Sequence, residues 1–167
     1  MRDKQERLLG YAFVVAQSAL FVLIFAPRLR TRGSAVNPGT HRSAAVRTAA
    51  GLAIGTGAVV AVAGARELGP DLTPMPLPRE GSQLRTGGAY AVVRHPVYTG
   101  VMAASAVRGL TAGGRVRPAA AAALCALLVV KAGWEERQMH ARFPGYREYA
   151  RRTPRFVPRP GGHRPAR

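Results

Sequence analysis

Leu8-Leu9-Gly10-Tyr11-Ala12-Phe13-Val14-Val15-Ala16-Gln17-Ser18-Ala19-Leu20-Phe21-Val22-Leu23-Ile24-Phe25-Ala26 runs for 19 residues without a charge. As a helix this stretch is about 28 Å long, close to the thickness of a bilayer's hydrocarbon core. Arg2, Lys4 and Arg7 precede it, as they would in a secretory signal. The apolar stretch is long for a signal, however, and Ile24-Phe25-Ala26 makes a poor small-x-small cleavage site. The sequence therefore predicts a retained membrane helix.

Three further runs follow. Thr48 to Ala65 is built from Ala, Gly and Val, and Gly51 and Gly55 have the small-xxx-small spacing of closely packed membrane helices. Val97 to Ala112 is short and contains Arg108. Pro118 to Trp134 is rich in Ala and Leu, with a proline suited to a first helical turn and a tryptophan suited to the membrane interface. Gly113-Gly114-Arg115 separates the last two runs and predicts a helical hairpin. The expected fold is all-α: one domain of 167 residues, a polytopic membrane protein with about four transmembrane helices and a cytoplasmic C-terminal helical tail. With Lys131 and Arg108 counted at the span ends they lie nearest, four spans put 17 basic residues on the side that holds both termini and the 66–96 connection, against 8 on the other. The richer side should be cytoplasmic, in the plasma membrane of a prokaryote. The 27–47 loop, with Arg28, Arg30, Arg32, Arg42 and Arg47, runs against that trend.

Composition agrees with a membrane setting. Lys and Arg number 25 against 8 Asp and Glu, a net charge of +17, while 47% of residues are hydrophobic. Nucleic acid would attract such a charge, but a nucleic-acid module has no need of long apolar runs. Anionic headgroups attract the same side chains, so membrane lipids are the expected partner and nucleic acid is not. Cys125 is the only cysteine, which excludes an intrachain disulfide and a cysteine-rich metal site. No metal is expected.

Two segments on the predicted cytoplasmic side carry unusual side chains. In Leu84 to Gly100, Gly87 and Gly88 permit a tight turn and Pro96 biases His95 away from helix. Arg94, His95 and Tyr98 then gather a cation, a titratable ring and a phenol where the third helix begins, although interfacial anchors use the same residue types. In Lys131 to Arg137, Glu135 and Glu136 are adjacent acids at the end of a membrane helix, and Lys131 shares a helix face with Glu135. Ionisable groups at that depth are costly and point to function.

The pattern Gly-x-Tyr-x-x-x-Arg-His-Pro-x-Tyr-x-Gly over Gly88 to Gly100, then Glu135-Glu136, then Phe143-Pro144-Gly145-Tyr146-Arg147-Glu148-Tyr149 and Pro154-Arg155-Phe156-Val157-Pro158, resembles the isoprenylcysteine carboxyl methyltransferase and phospholipid methyltransferase superfamily. The resemblance spans about residues 77–158 and implies a membrane enzyme that uses S-adenosyl-L-methionine. It implies cofactor binding by Gln83, Leu84, Arg85, Tyr90, Arg94, His95, Pro96, Val97, Tyr98 and Glu135, with Glu136 beside them. It places Lys131 where the carboxyl methyltransferases hold the substrate carboxylate, with a charge but without arginine's fork. A carboxylate such as Glu135 suits the cofactor's ammonium, and a cation such as Arg94 suits its carboxylate. No residue is assigned a catalytic role. The sequence departs from the family at Phe143-Pro144-Gly145, where Phe-Gly is usual, and nothing before residue 77 resembles it.

A lipophilic small molecule or a lipid is the implied acceptor, through a carboxyl or an amine, and oligomeric state has no signature in the sequence. Membrane sterol reductases, which use NADPH, share a related Arg-His-x-x-Tyr-x-Gly block, but typically carry Asn and Asp where this chain has Val97 and Val101. A non-catalytic membrane protein on the same scaffold is a third reading. Met139, Phe143, Tyr146 and Tyr149 form an apolar stripe expected to rest on the bilayer, with a break at Pro144-Gly145. Residues 159–167 are expected to form a basic, disordered tail.

Overall fold

Helix α1 (Arg2–Phe25) takes in all of the 19-residue run but Ala26, and its apolar side chains are largely uncovered: Leu9 is 52% and Val15 68% exposed. Such a surface is a liability in water and ordinary in lipid. The computed structural model describes residues 2–27, 43–73, 81, 83–111 and 114–159. It continues with α2 (Ala44–Leu68), a single 3-10 turn (Gly69–Asp71), α3 (Ala89–Val92), α4 (Pro96–Thr111), α5 (Val116–Arg142) and α6 (Tyr146–Arg152). Among the described residues there is no strand. Three segments, Leu8–Phe25, Ala44–Asp71 and Val116–Arg142, are long and apolar enough to cross a membrane. The protein is thus all-helical with three candidate spans. Helix α4 has only 16 residues and carries Arg108 in its last turn; at about 24 Å it is shorter than the hydrocarbon core.

Antiparallel packing joins the four long helices. Leu20, Ile24 and Phe25 of α1 pack with Ala120, Ala121, Leu124 and Leu128 of α5. The Arg117 guanidinium donates to the Ala26 carbonyl (2.6 Å) at one end of this pair, and Phe13 lies near Trp134 at the other. Helix α4 lies between α2 and α5 and also touches α1, so it is flanked by protein. The chain alternates direction through α1, α2, α4 and α5. The start of α1, the end of α2, the start of α4 and the end of α5 therefore share one end of the bundle.

Small residues set the α2–α4 distance. A Cβ on Gly57 would lie 2.7 Å from the Gly100 carbonyl oxygen and 3.1 Å from the Ala104 nitrogen, and one on Gly64 would lie 2.8 Å from the Pro96 ring. The expectation of close packing through Gly51 and Gly55 is corrected here: a Cβ on either meets nothing within 4 Å. Gly55 lies about 200° around the helix from Gly57, and it is the Gly57–Ala61–Gly64 face that meets α4. Gly100→Ala should separate the helices, since its Cβ would stand 2.6 Å from the Ala61 backbone nitrogen, which cannot yield. We expect a loss of about 1–3 kcal/mol of stability. Gly55→Ala should be neutral or better, because alanine is the stronger helix former. Thermal unfolding in detergent separates the two; equal melting would contradict the packing.

At its far end α5 runs eight residues past Trp134, to Arg142. The Phe143 amide closes it on the Met139 carbonyl, with His140 and Arg142 in the last turn, where cations suit the helix dipole. Pro144 stops the helix and Gly145 starts α6. The stripe expected to lie on the bilayer turns inward instead: Tyr146 is 3% exposed and stands edge-on to His140. The physical reason is the break itself, which reverses the chain onto the bundle. The disordered tail expected over 159–167 lies outside the described residues except for Arg159, as do positions 28–42 of the arginine-rich loop and Gly113 of the hairpin turn.

Candidate functional site

Gly88 has φ +52 and is packed against the Glu67 carboxylate, so it is the one residue type that serves there. The next amide, Ala89 N–H, donates to both Glu67 oxygens (2.8 and 2.9 Å), which ties the end of α2 to the start of α3. Tyr90 in α3 is buried, and its carbonyl accepts from the Tyr149 hydroxyl (2.7 Å). Burial raises both hydroxyls above the ordinary tyrosine range, so each stays protonated at neutral pH.

Val93 ends α3 in an extended conformation, and Pro96 restarts helix as the first residue of α4. Between them Arg94 and His95 lie against the returning C-terminal segment. Arg94 N–H donates to the Pro154 carbonyl (2.9 Å) and His95 N–H to the Arg155 carbonyl (3.2 Å). The Thr99 hydroxyl stands 3.0 Å from both the His95 and Phe156 carbonyls and donates to that pair.

Glu136 is the hub of the polar cluster. Its Oε1 accepts from Arg94 Nε (3.1 Å) and Arg155 Nε (3.0 Å) and lies 3.1 Å from His95 Nε2. Its Oε2 is bound by Arg155 Nη2. Arg94 also donates from Nη1 to the Ala150 carbonyl (2.6 Å). The Glu136 carboxylate holds the Arg155 guanidinium above its ordinary pKa, so that cation is permanent. Glu135, about 100° further back around the helix, faces the other side of His95. Tyr98 donates to its Oε1 (2.5 Å), and its Oε2 is 3.7 Å from His95 Nδ1. The His95 and Tyr98 rings stack 5.4 Å apart, so the imidazole sits between two carboxylates and against a phenol. One turn earlier Lys131, 1% exposed, donates to Gln17 Oε1 of α1 (2.9 Å) and lies 5.5 Å from the Tyr98 ring centre.

Six of the residues singled out in the sequence, Arg94, His95, Tyr98, Lys131, Glu135 and Glu136, thus converge. Tyr90 borders them through Tyr149. Pro96 and Val97 face Gly64 of α2 instead. The 83–85 strip stays apart: Gln83 and Arg85 are exposed, Leu84 is half-buried, and Arg85 approaches Asp71 at 3.5 Å. Arg94, expected to meet an anionic group of the cofactor, is here paired with Glu136. Glu136, the lesser of the two acids in the sequence reading, makes the most bonds.

Sequence reasoning gave no site role to Gln17, Glu67 or Thr99, nor to Tyr149 and Arg155, although these last two stand in the blocks that carry the resemblance. Gln17 had a signal, as an amide inside an apolar span, and Glu67 had one as one of only eight acids. Among the described residues no group of three or more His, Cys, Asp or Glu is placed to hold a metal ion.

No known protein family's profile matches the chain, and no solved structure matches it. Among curated proteins, the cobalt-zinc-cadmium resistance protein CzcN of Cupriavidus metallidurans is 33% identical over 82 residues. The match covers 48% of this chain and 38% of that protein, so the chain spans well under two thirds of the relative's length.

Proposed function

We propose that this chain is an integral membrane methyltransferase that uses S-adenosyl-L-methionine and acts on a lipophilic acceptor through a carboxyl or amine group. One observation carries the reading: His95, Tyr98 and Glu135, from blocks up to 40 residues apart in sequence, meet within hydrogen-bonding or ring contact. The donor set suits the cofactor. Of the two adjacent acids, Glu136 is saturated by two guanidiniums and an imidazole, while Glu135 is held by a phenol, with the imidazole further off. A carboxylate accepts about four hydrogen bonds, so Glu135 retains capacity for an ammonium. When bound, the cofactor supplies a methyl group already activated on a sulfonium. The protein's task is then to position and to exclude water. Tyr98 and His95 orient Glu135, Arg94 and Arg155 lock the returning segment through Glu136, and Lys131, held between Gln17 and the Tyr98 ring, is the cation that an acceptor carboxyl would have to approach. Incubation of the lipid-reconstituted protein with methyl-labelled cofactor and a panel of lipid extracts should move label into a lipophilic product. Absence of label from every extract would count against the reading.

In this reading α4 is a fourth span, and the site faces the cytoplasm. Its shortness is tolerable because protein flanks it, and Arg108 can reach the opposite interface. A reporter fused at residue 37 should therefore report the outside and one at the C-terminus the inside; the same side for both would refute four spans.

The match to CzcN favours a second reading, in which the chain serves resistance to cobalt, zinc or cadmium. Growth of a deletion strain at raised levels of each metal tests it, and its success would leave the proposed chemistry intact.

A further inference from the structure

Beyond Trp134 the chain climbs along α5 to Arg142, reverses at Phe143–Gly145 and comes back. By Phe156 it is level with Thr99 in the first turn of α4. Helix α6 therefore lies doubled back beside the membrane end of the bundle. Its two faces differ. The inner face grips the polar cluster: Tyr149 donates to the Tyr90 carbonyl, the Ala150 carbonyl holds Arg94, and the next residues pair with the Arg94 and His95 amides. The outer face carries Arg147, Arg151 and Arg152, all exposed, the last two with side chains 68% and 65% accessible. Arg137 and Arg142 at the end of α5 are exposed as well. Glu148 is the one acid between Arg137 and Arg159. It pairs with Arg151 and Arg152, one negative charge against two positive ones.

We propose that this face docks on anionic phospholipid headgroups of the leaflet at this end of the bundle, and that the contact clamps the 146–156 segment onto Arg94 and His95. The inference rests on the membrane placement and not on the cofactor. Charge complementarity names the partner. Guanidiniums bind phosphates with two parallel hydrogen bonds, and basic residues beside a membrane gain most from an anionic leaflet. Spans with exposed apolar faces bring these arginines to the headgroup level, so a phosphate fixed in the leaflet is always within reach. The lipid would act as a regulator: the site segment is held by α6, and α6 is held by the leaflet.

The test uses the full chain, free of cofactor, in nanodiscs of phosphatidylcholine alone or with about 30% phosphatidylglycerol. Hydrogen exchange is followed at the Arg94 and His95 amides and across 147–153. We expect exchange on the order of tenfold slower in the anionic discs. The triple variant Arg147→Gln, Arg151→Gln, Arg152→Gln should exchange at the neutral-disc rate in both. Equal rates for the unmodified chain in the two lipids would overturn the proposal, whether or not the variant folds. So would a lipid response that survives in the variant. Inorganic phosphate or an RNA oligonucleotide that slows exchange as much in neutral discs would assign the face to a soluble polyanion and overturn it too. Failure of the methyltransferase reading would leave all these rates unchanged.

Discussion

Glu135→Ala is expected to abolish binding of S-adenosylmethionine, whereas Glu148→Ala leaves it intact. Both changes remove one negative charge from the same basic end of the protein, so long-range electrostatics cannot separate them. Their surroundings can. The Glu135 side chain is 17% exposed and is oriented by Tyr98 and His95 at the end of a membrane helix. An ammonium bound there is paired in a medium of low dielectric, and losing its partner costs about 2–5 kcal/mol, or roughly 30-fold to several-thousand-fold in affinity. Glu148 is 53% exposed, and its bond to Arg152 draws its carboxyl below the usual range. That pairing is local and screened by water. Calorimetric titration of both variants should show heat only for Glu148→Ala. Equal affinities would make Glu135 a structural residue.

Glu136→Gln should act on the fold. Glutamine keeps the shape but removes the charge that Arg94, His95 and Arg155 share, and it leaves two guanidiniums facing each other with side chains 13% and 38% exposed. Breaking a buried pair from one side typically costs about 3–5 kcal/mol. Because Arg155 is part-exposed, a value near 3 kcal/mol is expected. The 150–156 segment should loosen first, seen as lost protection of the Arg94 and His95 amides. Adding Arg155→Gln should restore part of the loss, since the two residues share one interaction. A Glu136→Gln protein that melts like the unmodified chain would show that the backbone pairing alone holds the segment.

The helices were legible because lipid imposes a crude code: an uncharged stretch such as Leu8 to Ala26 can hardly be anything else. The meeting of His95 with Glu135 was legible because a hairpin through Gly114 brings the start of one helix to the end of the next. The face of α2 was not. In a run of Gly, Ala and Val every face is small, and the choice of Gly57–Gly64 over Gly51–Gly55 depends on where Gly100 stands in the partner helix. The return of the C-terminal segment was equally hidden. Its anchors are the carbonyls of Ala150, Pro154, Arg155 and Phe156, and backbone carbonyls leave no trace in residue identity. The partner of Arg94 was hidden for a related reason. A cation near two acids can serve a ligand or a neighbour, and geometry alone shows that Glu136 takes it.

The proposed function requires the cluster around Glu135 to bind S-adenosylmethionine. Titrating the lipid-reconstituted protein with that cofactor and, separately, with NADPH tests it most directly. The account predicts saturable binding of S-adenosylmethionine, lost in Glu135→Ala, and no binding of NADPH. Binding of NADPH alone, or of neither, would contradict it.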